Sequence, residues 1–368
     1  MDGMKAISYI ELYQEAEECY KILYRFINSP KDIQSILIPP MIPFLSLISV
    51  GIDSFVEFTD EYPQINGYSF KSLIGSSRAK TKLLSDKRLQ KSMNIINETL
   101  LKANKDLRTG YNSIQFQIIE DLGQEDLGVF YYKNTPIANS LQMYVYLAEL
   151  MDIDDGESLE GKYKDTLINF SSSLSNHIYS FVLSNKKDFE DYIDDNVQEI
   201  NIKENDLSMA DYFIMDTKRR NYFRKDFEES FLIYVFNFLC NINYTLYIIP
   251  LIIDNKKAIY YRFKLITYIT TVEALSKLAK NHNMSSVVEP INSQLSIIIE
   301  RKRQIISSNL RNNLFHFEIP QGDFPLEWSG NIFENLIEYQ TKMKFNIFNE
   351  TIDNELNKIA ILIKEWIY

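Results

Sequence analysis

Arg311-Asn312-Asn313-Leu314-Phe315-His316 is the stretch of this 368-residue chain whose side chains could do chemistry together. An arginine presents a permanently charged planar fork that grips a phosphate through two hydrogen bonds. Histidine is the side chain whose ordinary pKa lets it give or take a proton near neutral pH. Paired within one helical turn and a half, the two suit cleavage of a phosphodiester. Asn312 lies four residues before His316 and could orient its ring or touch the phosphate. On a straight helix five steps turn through roughly 140°, so Arg311 and His316 do not share a face. Either the helix breaks before His316, near Pro320 and Gly322, or two copies of the chain build the site together. The same residues also suit a purely structural role, as cations at a helix C-terminus.

The elements that must hold this motif are predicted to be helices. With 11 Gly and 10 Pro in the whole chain and 45% apolar residues, punctuation is sparse, and apolar residues recur three and four apart. The expected fold is therefore all-α for the most part, with a C-terminal antiparallel bundle. Tyr261, Leu265, Tyr268, Val272 and Leu275 mark a core-facing helix over 256–280. Pro290 opens the next one, which runs through Leu295, Ile299, Ile306 and Leu310 into the motif. One broken helix or two consecutive ones follow over 332–347 and 352–366. Glu273, at the edge of the first apolar stripe, is placed to pair with Arg311. Arg301, Lys302 and Arg303, two to three turns before the motif, could hold a flanking RNA backbone.

The N-terminal part reads as helices with interruptions. Residues 5–28 form a surface helix bearing Glu11, Glu15, Glu17 and Glu18, stopped by Asn28-Ser29-Pro30. The uncharged run 33–52 holds Pro39, Pro40 and Pro43 and reads as a turn between helices. A lysine-rich helix within 69–107 shows a solvated face. Alternation at Ile114, Phe116 and Ile118, followed by Val129 to Tyr132, predicts a small hairpin near 112–133. Residues 165–185 and 207–228 return to helical spacing, the second carrying Lys218, Arg219, Arg220, Arg224 and Lys225 on a solvated face that RNA could also use. The acidic stretch 152–157 lacks the ligand spacing of a calcium loop. Gly75 to Thr81 lacks the second glycine of a phosphate loop.

Residues 1–250 carry 25 Lys and Arg against 37 Asp and Glu, whereas residues 251–368 carry 14 against 13. The acidity of the first part argues against a protein coated for wrapping duplex DNA, though a local anion site needs only a local patch. The shift suggests two domains, a mainly helical regulatory or sensor region over 1–225 and the bundle over 226–368. Two isolated cysteines, Cys19 and Cys240, indicate neither a disulfide framework nor a zinc site. With no apolar leader at the N-terminus, the expectation is a cytoplasmic protein. Residues 230–253 form an uncharged run long enough to cross a bilayer, but Asn237, Asn241 and Asn243 would need partners in lipid, so a buried core helix is expected.

A late bundle helix carrying Arg311, the polar Asn312 and His316 resembles the HEPN family, whose nuclease members share an arginine and a histidine with four to six residues between them. Thr271-Val272-Glu273-Ala274-Leu275 is similar to the corresponding helix of the Apea-like subgroup found in phage defence. The likeness covers about 140 C-terminal residues. It implies a metal-independent endoribonuclease without cofactor, working as a homodimer that brings two Arg/His sets to one cleft, with Arg311 and His316 catalytic. It also implies a defence or toxin role, with a phage-derived trigger or an antitoxin as partner and no membrane. Glu318 stands where the toxin branch has a tyrosine, so regulation through that tyrosine is not implied. The alternative is a degenerate HEPN bundle that dimerises and binds nucleotide, RNA or protein without cutting.

Overall fold

The computed structural model describes residues 3–56, 64–65, 67–80, 114, 117, 125–142, 159–185, 200, 202–216, 218–225, 227–279, 285–319 and 331–368. Among them are eleven α-helices and one three-stranded antiparallel sheet, so the mostly helical expectation holds. The helices are α1 (Gly3–Ile27), α2 (Lys31–Phe55), α3 (Phe70–Lys80), α4 (Leu159–Asn185), α5 (Glu229–Asn243), α6 (Ile249–Ile252), α7 (Ala258–Ala279), α8 (Ser285–Ile305), α9 (Ser308–His316), α10 (Ile332–Thr341) and α11 (Phe345–Ile367). The strands are β1 (Leu127–Tyr132), β2 (Thr135–Asn139) and β3 (Leu207–Tyr212), in the order β2-β1-β3.

The central element is α7. Its sequence shows an apolar stripe, yet residues 262–272 are buried on every side. Two charges, Arg262 and Lys264, are carried inside with it, and a buried charge is stable only with partners. Lys264 donates to Asn349 at 2.9 Å and pairs with Asp353 at 2.7 Å, while its ammonium lies 4.6 Å from the Tyr260 ring centre. Two apolar cores meet along this helix. One gathers α5, α8, α9, α10 and α11 around Phe231, Leu265, Leu314 and Ile359. The other gathers α1, α2, α3 and α4 with Tyr244, Ile259, Phe263 and Phe317. Residues from both sides of position 225 thus share each core.

Several predicted elements take a different form. Helix α2 runs unbroken through Pro39, Pro40 and Pro43 instead of turning there. Each internal proline costs about 3 kcal/mol in an isolated helix, but nearly every residue from Leu37 to Ile52 is buried, which offsets that cost. Beside the prolines, the Tyr244 hydroxyl donates to the Leu37 carbonyl at 2.6 Å. The hairpin lies at 127–139, with Lys133 and Asn134 at positive φ of 47° and 65° forming its tight turn. Ile114 and Gln117, in the stretch expected to begin that hairpin, are helical. Residues 207–212, expected to be helical, pair with β1 as β3.

The cation cluster that follows β3 lies in turns, and Arg220 is buried rather than solvated. Its guanidinium binds the carbonyls of Ile214, Arg224 and Phe227 and pairs with Glu229 at 2.5 Å, so it clamps the entry to α5. The acidic stretch 152–157, residues 81–107 and His282 lie outside the described residues.

The uncharged run 230–253 forms α5, a π-helical turn at Tyr244–Ile248, and α6. Its asparagines have partners on the hairpin side. Asn139 donates to Asn237 at 2.7 Å, Gln142 donates to Asn241, and Asn243 donates to the Pro136 carbonyl at 2.8 Å. Lys31–Phe55 and Glu229–Ile252 are both long and apolar enough to span a membrane, but 78% and 83% of their apolar windows are buried in the protein.

Candidate functional site

The motif sits on α9, a helix of its own. It is separated from α8 by Ile306 and Ser307, where one continuous helix was expected. Ser307 caps the N-terminus, its hydroxyl accepting from the Leu310 amide at 3.1 Å. Helical backbone continues through His316, so the alternative in which the helix breaks before the histidine does not occur. It ends at Phe317 rather than at Pro320, with Phe317 in the left-handed region at φ 55° and its amide bonded to the Asn313 carbonyl at 2.8 Å. Leu310, Leu314 and Phe315 anchor in one core and Phe317 in the other. Gly51 of α2 makes room for the Phe317 ring: a Cβ there would lie 2.9 Å from two of its carbons.

Beneath the end of α9 lies a buried ionic cluster. Arg262 donates through Nη1 to the carbonyls of Asn313 and Leu314, both at 2.9 Å, adding a second donor to the first and serving the second in the last turn, where a helix runs out of its own donors. Its Nη2 meets Glu11 Oε1 at 2.8 Å, and its Nε meets both Glu15 oxygens at 2.8 and 2.6 Å. Glu11 in turn accepts from Asn313 Nδ2 at 3.1 Å. The Phe317 ring centre lies 4.1 Å from the guanidinium carbon. Glu11 and Glu15, expected on a solvated helix face, are therefore 2% and 1% exposed. Spaced four apart, they face inward on one side of α1 toward a single arginine.

Burial raises both carboxyls against the opposing pull of the Arg262 charge, and Glu15, with Glu11 adding to the rise, reaches about 7 from an ordinary 4.5. A carboxyl raised in the folded state holds its proton more tightly there than in the unfolded chain. Its contribution to stability is complete below pH 4.5 and is lost as pH rises through about 7. Glu15→Gln removes this contribution. The melting temperature of the variant relative to the parent should therefore be more favourable at pH 8 than at pH 5. An offset that is constant, or larger at pH 5, would contradict the assignment.

Arg311 and His316 point to different partners. Arg311 is half-buried and gives Nε to Glu273 Oε1 at 3.0 Å and Nη2 to Oε2 at 3.4 Å, with its guanidinium 5.1 Å from the Phe315 ring centre. Lys302 joins the same carboxylate at 3.2 Å. Burial would raise Glu273, but the hydrogen bond from Arg311 and the Lys302 charge outweigh it and hold the carboxyl below its ordinary value. The expected Glu273–Arg311 pair is thus present. Lys302 belongs to that pair, Arg301 is exposed, and Arg303 is an exposed residue paired with Glu300 at 3.4 Å. Asn312 is exposed and Asn313 fully buried.

His316 is exposed and lies beside a residue that sequence reasoning assigned to a solvated face. Arg78 of α3 places Nη2 3.0 Å from His316 Nδ1 and donates from the same nitrogen to the Phe315 carbonyl at 2.8 Å. Burial lowers the pKa of this half-buried guanidinium, which remains the donor. Nδ1 of His316 must then be the acceptor, which in the neutral ring leaves the proton on Nε2. The pair borders a cavity of about 440 Å³, lined among others by Lys5, Ser8, Ser54, Phe55 and Glu318. The only sequence signal for Arg78 is a cation on a helix in an acidic half of the chain. His177 is buried in the core; desolvation lowers its pKa to about 4, so the ring is neutral. Compared with family models, curated proteins and solved structures, the chain shows no match.

Proposed function

We propose that the chain is a metal-independent endoribonuclease of the HEPN type, acting in the cytoplasm as a homodimer in phage defence or toxin-like growth control. The observation that carries this reading is His316 at the rim of a cavity with a guanidinium 3.0 Å from its ring, a base and a cation poised at one opening. RNA supplies its own nucleophile. The 2′-oxygen forms a bond to the adjacent phosphorus while its proton passes to a His316 ring nitrogen. The bond from phosphorus to the 5′-oxygen breaks, and that oxygen takes up a proton. Arg311 stabilises charge building on the non-bridging oxygens. Because α9 is continuous through His316, the Arg311 of one copy and the His316 of the other are the pair that a symmetric dimer can bring together.

Purified protein incubated with total RNA should cut it equally well with and without EDTA. Activity that vanished with the chelator and returned with magnesium would contradict the mechanism. A second reading, a non-catalytic HEPN-like dimer that binds nucleotide, RNA or a protein partner, draws support from the two contacts that tie Arg311 to Glu273. Absence of cutting under any trigger would favour it.

A further inference from the structure

We infer that the cavity beside His316 is a phosphate site for the backbone of single-stranded RNA, with Arg78 as its principal cation and Lys5 as a second. Binding there draws Arg78 off the His316 ring. The choice of ligand rests on the ribonuclease reading. Three observations make the site. Arg78 and Lys5 come from α3 and α1, far apart in sequence, and line one cavity with His316. Its volume, about 440 Å³, exceeds what a single phosphate fills and suits a nucleotide unit. Its wall joins the hydroxyl-bearing Ser8 and Ser54 to the partly exposed aromatic Phe55, a mixture that serves sugar and base as well as phosphate.

The Arg78 contact also gives the site a consequence for chemistry. While Nη2 rests against Nδ1, that lone pair is engaged and the other ring nitrogen carries the proton, so the neutral ring has no free basic nitrogen. A phosphate carries a full charge and takes a guanidinium through two parallel bonds, a stronger interaction than the neutral His316 nitrogen and Phe315 carbonyl that one Arg78 nitrogen now shares. An incoming phosphate therefore competes for Arg78, and its arrival releases the base. Substrate binding and activation of His316 become one event. Glu318, a carboxylate on the same rim, opposes any anion there, so a phosphate must be held against it by Arg78 and Lys5.

The test uses the full chain, imidazole 15N spectra and titration calorimetry. One probe is inorganic phosphate; the other is a mixed-sequence RNA hexamer with every 2′-hydroxyl methylated, so that it binds without being cut. Both should shift the His316 signals. Arg78→Gln should weaken the hexamer at least tenfold, and Lys5→Gln, on an exposed position of α1, about threefold. Lys71→Gln, on α3 but paired with Asp53 at 3.0 Å, should bind like the parent. Parental affinity in both the Arg78 and Lys5 variants would overturn the inference, as would His316 signals that stay fixed at saturation. Should Arg78→Gln not fold, Lys5→Gln and the His316 shifts decide alone. Binding of phosphate but not of the hexamer would reject RNA as the ligand. Tight, Arg78-dependent hexamer binding by a wild type that cuts no RNA would sink the nuclease reading and leave the site standing. Cutting that Arg78→Gln leaves intact, with unchanged hexamer binding, would do the reverse.

Discussion

Replacing Arg262 by leucine should destabilise the protein by about 3–5 kcal/mol, read from urea or guanidinium midpoints at pH 7. The size follows from what the substitution strands. Glu11 and Glu15 would remain in the core with no cation, the Leu314 carbonyl at the end of α9 would lose its Arg262 donor, and the Asn313 carbonyl would lose one of its two donors. Against a typical total of about 5–15 kcal/mol, that removes a large share of stability. The sign can be checked within the cluster. A triple variant that also carries Glu11→Leu and Glu15→Leu no longer buries carboxyl groups without their cation and should recover part of the loss. A single variant within about 1 kcal/mol of the parent would mean that water reaches the cluster.

The second large effect concerns the chemistry. His316→Ala and Arg311→Ala should each slow the chemical step by at least about 100-fold, the usual scale for losing a positioned acid-base or charge-stabilising group. Neither should unfold the protein, since His316 is exposed and Arg311 only half-buried. Loss of Arg311 does release Glu273, but Lys302 remains on that carboxylate at 3.2 Å. Mixing the two inactive variants tests the shared cleft, because a mixed dimer joins one intact Arg311 to one intact His316. Partial return of activity is the expected result. No return after verified subunit exchange would place both groups of one reaction in a single chain.

The sequence makes the motif legible because Arg311, Asn312 and His316 are adjacent and chemically distinctive. The helix of Tyr261 to Leu275 is equally legible, since apolar periodicity is a local signal. What escapes is set by contacts distant in the chain. Glu11 and Glu15 look like a solvated face until Arg262, some 250 positions later, turns them into a buried cluster. Arg78 looks like one more surface cation until α3 packs beside the end of α9. The prolines of α2 signal a turn by local rules, and burial along almost its whole length overrides them. Residues 207–212 become a strand only because β1 offers them a partner. The break at Ser307 does carry a sequence signal, a serine suited to cap a helix three residues ahead of Leu310, which the unbroken apolar spacing conceals.

Analysis of the ends left by cutting tests the central claim most directly. The purified protein should be given an RNA oligonucleotide of defined sequence and a matched oligonucleotide with one 2′-deoxy substitution at the cut site. Attack by the internal 2′-oxygen predicts a 2′,3′-cyclic phosphate and a 5′-hydroxyl on the products of the first, no cutting of the second at the substituted position, and loss of both product ends in His316→Ala. Products bearing a 5′-phosphate, or cutting of the deoxy-substituted strand at the parental rate, would contradict it.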